Sequence, residues 1–191
     1  MPADAPPSRP LSAQTLPESD RRRLALWTAD CVERVLRLFE AEAPHEPRPR
    51  DGLARVRAYG RGELDTAGEI RRRFEAGRAA GVVSAPAAVA AARAVGQATG
   101  IAHMGAHALG AAAYAVRAVR LGADSATDDP QRAADAEIAW QIAHLTAEAR
   151  DALRRLPALG ADPAGPLGSG LLARGDLGDT IRALQARIAS S

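Results

Sequence analysis

The stretch from Ala85 to Ala118 constrains the fold most, because alanine and glycine fill more than half of it. Alanine has the highest helix propensity and is depleted from strands. Its single methyl also lets two helix axes approach closely. The bias extends along the whole chain, where alanine makes up about a quarter of the 191 residues and aromatics only 3%. The chain therefore reads as all-α: an irregular compact bundle, or a short array of helical hairpins, of about six to seven helices. An apolar fraction of 47% excludes wholesale disorder, and the length suffices for one sizeable core. No uninterrupted apolar run reaches the roughly 18 residues that a membrane span requires.

All 25 basic residues are arginine, and the chain has neither lysine nor asparagine. Codons for Ala, Arg, Gly and Pro are GC-rich, so this usage reports genome composition before it reports a partner. With 23 acids present, the formal net charge is +2, too small an excess to argue for nucleic acid. No nucleic-acid and no membrane partner is expected. A single cysteine, Cys31, excludes an internal disulfide framework. The opening MPADAPPSRP is proline-rich rather than a charged and then apolar signal, so the cytoplasm is the expected compartment.

Residues 1–16 carry four prolines and no periodicity, and read as a disordered leader. A helical domain is expected over 17–156. Its first helix runs to about Glu42 on a stripe of Leu24, Trp27, Cys31, Val35 and Leu38, with Asp30–Arg34 and Glu33–Arg37 as i,i+4 pairs. Pro44, Pro47 and Pro49 form an elbow, and a second helix follows to about Arg61, closed by Gly60-Arg61-Gly62. Thr66 with Glu69 reads as a capping box opening a third helix that ends near Gly81. Ser84 is expected to cap a fourth, which breaks near Met104–Gly105 into a fifth. Asp129–Pro130 opens a sixth helix reaching about Leu156. Residues 157–170 read as a Gly/Pro linker, and 171–191 as a peripheral C-terminal helix.

The main chemical candidates are His103 and His107. On one continuous helix their i,i+4 spacing would suit a metal, with His144, Cys31, Asp30, Glu33 or Glu137 completing the set. No glutamate follows His103, so the zinc-protease signature is missing. A structural reading is stronger: Ala92, Gly96, Gly100, His103, His107, Gly110 and Tyr114 form one small-residue stripe on which imidazoles are satisfied by hydrogen bonds. Cys31, on the apolar face of its helix, reads as a buried inert thiol. Asp30 and Glu33 read as a solvated, arginine-paired face. The triplets Arg21–Arg23 and Arg71–Arg73 fan out about 100° per residue and make no single patch. Trp140 reads as a core or groove anchor whose indole N–H needs a partner. No catalytic triad order, nucleotide loop or carboxylate pair emerges, so no catalytic residue is assigned.

The runs Leu26-Trp27-Thr28-Ala29-Asp30-Cys31, Arg48-Pro49-Arg50 and Gly62-Glu63 are followed by His103-Met104-Gly105-Ala106-His107, then by Tyr114, Glu137 and Trp140-Gln141. In this order they resemble the bacterial immunity-protein family with an immunity-five-like domain, which is helical, common in actinobacteria and accompanies polymorphic-toxin systems. The resemblance spans roughly residues 18–155. It implies a non-enzymatic protein that binds and neutralises a cognate protein toxin, without a cofactor. It carries no binding residues over, and Trp27, Asp30, Cys31, Arg48, Pro49, Gly62, Glu63, His103, His107, Tyr114, Glu137, Trp140 and Gln141 are expected to be structural. Two positions depart from the pattern: Gly105, where the family often has proline, and Arg117, where lysine is usual. The rival readings are a metal-binding helical-bundle enzyme using His103, His107 and His144, and a helical regulatory or nucleic-acid-binding module.

Overall fold

A computed structural model describes residues 11–123 and 129–190, whose regular elements are all helices, with no strand among them. The first ten residues of the expected leader lie outside the described residues. Among the described residues eight α-helices form: α1 (Glu18–Glu40), α2 (Arg48–Gly60), α3 (Thr66–Arg72), α4 (Pro86–Thr99), α5 (His107–Gly122), α6 (Pro130–Ala143), α7 (Ala147–Arg154) and α8 (Gly175–Ser190). Short 3-10 helices occupy Ala76–Val82 and Leu171–Ala173. The alanine-rich α4 and α5 make the most extensive helix pair, and α1 packs against both. Alanine methyls alone bury little area. The bulk of the core therefore comes from larger side chains laid across them, including Leu24, Leu36 and Phe39 of α1 and Leu109 of α5, all fully buried.

Three differences from the sequence expectation share one cause, a backbone amide satisfied by a group other than the nearest candidate. Asp65, not Thr66, caps α3, its carboxylate accepting from Gly68 N at 2.7 Å, and Glu69 turns away to pair with Arg55. That helix stops at Arg72 instead of Gly81. Ser84 does not cap α4. The Glu42 carboxylate reaches over from the end of α1 to accept from Ser84 N at 2.7 Å and Ala85 N at 3.0 Å. The single helix expected from Pro130 to Leu156 is two, because Thr146 accepts from Ala149 N at 3.1 Å and starts α7. This last break raises the number of α-helices among the described residues above the expected six to seven.

The ends of the described chain are packed into the body. Leu177, Ile181, Leu184 and Ile188 of α8 are buried against α5, α6 and α7, so the C-terminal helix belongs to the core instead of lying peripheral to it. Gln14, expected within the leader, is fully buried. Its side-chain amide donates to Asp162 O at 3.0 Å and accepts from Leu167 N at 2.9 Å. Residues 164–167 of the expected linker are thereby held as a wall. The α4–α5 break falls where the glycines predict it. Gly105 N donates to Thr15 O at 3.0 Å and a Cβ there would lie 2.7 Å from Leu16 Cδ1. A proline at this position could not make that hydrogen bond.

Candidate functional site

The small-residue stripe does not pack against a helix along its whole length. Part of it forms the floor of an open cleft of about 790 Å³, walled by the 73–78 turn, by α4 and α5, and by residues 164–171. At one end Gly96 meets Gly77 so closely that a Cβ on Gly96 would lie 2.9 Å from the Gly77 Cα. Further along, Gly100 leaves room for the His107 ring, which a Cβ would meet at 2.8 Å. The glycines thus set the cleft's shape by the side chains they omit.

His103 and His107 both line this cleft, but not from one helix face. His103 sits in the turn after α4, and His107 is the first residue of α5. His107 Nδ1 is 2.8 Å from Gln97 Oε1. With that carbonyl accepting, Nδ1 carries the proton, and Nε2 is left as the ring nitrogen without a protein partner. Burial, aided by the charges of His103 and Arg73, pushes His107 down from 6.5 to about 4, so it is neutral near pH 7. Burial also lowers the more open His103, with Arg73 and Arg21 adding to the effect. Tyr114 is 4% exposed on the same wall, and its hydroxyl makes no hydrogen bond to the described residues.

Arg73, Arg78 and Arg93 converge on the cleft, and no aspartate or glutamate lines it. Arg73 lies over the Phe74 ring at 4.2 Å and donates to Ile70 O. None of the three has a carboxylate partner within 4 Å among the described residues. Most other helix-face arginines do: Arg48 pairs with Glu46, Arg50 with Glu33 and Glu40, Arg57 with Asp30, and Arg61 with Glu63. Sequence reasoning missed this convergence because it joins a turn to a helix some 15–20 residues away. It did anticipate that the triplets would scatter. Arg72 pairs with Glu75 while Arg73 faces the cleft; Arg21, Arg22 and Arg23 go to Leu16 O, Glu18 and Asp20.

Trp27, Glu137, Trp140 and Gln141 of the motif gather where α1 meets α6. Trp27 donates from its indole to Gln141 O at 2.9 Å, and Gln141 donates to Ala112 O at 3.2 Å. Glu137, 3% exposed, receives Arg34 at 3.0 Å. The Arg34 guanidinium also covers Trp140 at 4.0 Å, and His144 stacks on the same indole at 3.8 Å. The expected i,i+4 pairs on α1 are thus replaced by longer-range ones, from Arg34 to Glu137 and from Asp30 to Arg57. Burial, and then the Glu137 charge, pushes the Cys31 thiol well up, so it stays protonated and unreactive.

His144 therefore belongs to this knot and not to the cleft, which corrects the expected third metal ligand. Among the described residues no group of three or more His, Cys, Asp or Glu side chains could hold a metal ion. Arg48 and Pro49 open α2, and Gly62, at φ +83°, turns the chain after its end, a conformation glycine adopts without strain.

A sequence model of the Imm-5 like putative immunity protein family matches residues 14–148. The chain belongs to that family. The Imm-5 like match takes in both the α1–α6 knot and the α4–α5 floor of the cleft, and stops before the 164–171 wall and α8. Comparison with curated proteins and with solved structures returns no match. No helix among the described residues is long and apolar enough to cross a membrane.

Proposed function

We propose that this chain is a non-catalytic immunity protein that binds a cognate protein toxin stoichiometrically in the bacterial cytoplasm and neutralises it by covering its active surface. Membership of the Imm-5 like family over residues 14–148 carries this reading. The cleft's rim supplies a surface that suits it. Phe74 and Leu171 are 60% and 65% exposed there, beside the unpaired arginines. Aromatic and arginine side chains dominate binding energy at protein interfaces, and unneutralised cationic groups steer acidic partners.

The test is to co-express the chain with the product of the adjacent reading frame. A stoichiometric complex by size-exclusion chromatography with light scattering, together with restored growth, is the expected result. The pair Phe74→Ala and Leu171→Asp should raise Kd at least tenfold while leaving the far-UV circular dichroism unchanged. An adjacent product that is neither bound nor neutralised ends the proposal.

A further inference from the structure

The cleft has a depth and a charge that the rim does not need in order to meet a protein. Its volume of about 790 Å³ lies within the roughly 300–1,000 Å³ typical of small-molecule pockets. Its walls come from three separate parts of the chain, so it is a recess and not a face. Two polar groups sit inside it without partners among the described residues, the Nε2 of partly buried His107 and the hydroxyl of Tyr114. Both atoms open onto the space of the cleft, where each can bond water or a ligand. The rest of the interior is mostly carbon, from the bare glycine floor, Met104 and Phe74.

Charge decides the class of occupant. Most other arginines among the described residues are matched with carboxylates, whereas Arg73, Arg78 and Arg93 share one cleft that no described carboxylate lines. Arg78 and Arg93 are exposed and Arg73 is partly buried, so their forked N–H groups are available to an anion held in the cleft. We propose that the cleft binds a small organic anion: one carboxylate, sulfonate or phosphate held by Arg78, Arg93 and Arg73, on a ring-sized apolar body lying over the Gly96–Gly100 floor. The Nε2 of His107 then accepts a hydrogen bond from a hydroxyl or N–H of that body, and the Tyr114 hydroxyl donates to it or accepts from it. This assignment stands apart from the toxin reading.

The test uses 1-anilinonaphthalene-8-sulfonate, an aromatic sulfonate that brightens in apolar surroundings, and N-phenyl-1-naphthylamine, its uncharged counterpart. The full chain should bind the sulfonate saturably, at one site per molecule, with affinity falling as salt rises. The double variant Arg78→Gln/Arg93→Gln should bind it at least tenfold more weakly and bind the uncharged dye as the parent does. Its thermal unfolding should match the parent, showing that the loss is not one of fold. Absence of saturable sulfonate binding, or equal binding by parent and variant, overturns the assignment. So does a variant that loses only the toxin complex while keeping the dye, since that places an acidic segment of the partner protein in the cleft.

Discussion

Arg34 and Arg93 both leave the same helical core carrying a positive charge, and they meet opposite surroundings. Arg34 closes over Trp140 onto a carboxylate that is 3% exposed, with Gln141 and the Trp27 indole tied in behind it. Arg93 ends at a cleft with no acid on its walls. In the first region charge is consumed in holding helices together; in the second it is left over. Charge that folding does not use is free to act on something outside the chain. The two regions therefore predict different responses to the same kind of substitution.

The largest effect is expected in the knot. Arg34→Met strands Glu137 in a buried site, and removing one partner of such a pair costs about 3–5 kcal/mol. The low end applies, since the arginine is itself partly in water. Urea denaturation measures the loss, and a change below about 1 kcal/mol would erase the contrast between the regions. Glu137→Gln should cost less, because the half-exposed guanidinium can turn to solvent.

Next comes the titration of His107. The unfolded chain takes up a proton near 6.5, while the folded state resists until about 4. The unfolded state thus binds more protons between those values, so stability is full above about pH 6.5, declines as pH falls and levels off below about 4. The total is about 3 kcal/mol. His107→Asn should flatten that part of a stability–pH profile; a profile unchanged by the substitution would show that His107 is not held neutral.

A smaller effect is expected at the cleft's closed end. Gly96→Ala puts a methyl against the Gly77 backbone at 2.9 Å, which cannot rotate aside. Overpacking costs about 1–3 kcal/mol, and the gain in helix propensity returns up to about 1, so Tm should fall for a net loss of about 1–2 kcal/mol. Least affected should be Arg78→Gln/Arg93→Gln, within about 0.5 kcal/mol of the parent by denaturation, because neither side chain holds an ion pair. A large loss there would mean that the cleft arginines serve the fold after all.

How much of this the sequence disclosed follows from how local each signal is. The stripe Leu24, Trp27, Cys31, Val35 predicts α1 because helical periodicity acts within a few residues, and Gly105 predicts a break before His107 for the same reason, although α4 already ends at Thr99. Caps were harder. Ser84 is a good cap by type, yet Glu42 takes its role from across a turn, and nothing near Ser84 announces that. The same limit hides the cleft. His103, His107 and Tyr114 could be read from one stripe, but Arg73 and Arg78 join them only once α3 and the following 3-10 turn are packed on α4. Pairing of Arg34 with Glu137, 103 positions apart, was likewise out of reach of any i,i+4 rule.

The buried Gln14 has a further consequence, for the order of assembly. Its bonds to Asp162 and Leu167, and that of Ser12 to Asp162, close loops of about 150 residues. Closing so long a loop costs chain entropy that only a nearly complete structure can offset. The α1, α4 and α5 core can form on the ribosome while the N-terminal segment still hangs free. The clasp fastens only once residues 162–167 have emerged, and since residues 164–171 also wall the cleft, the cleft takes its shape later than the core it stands on.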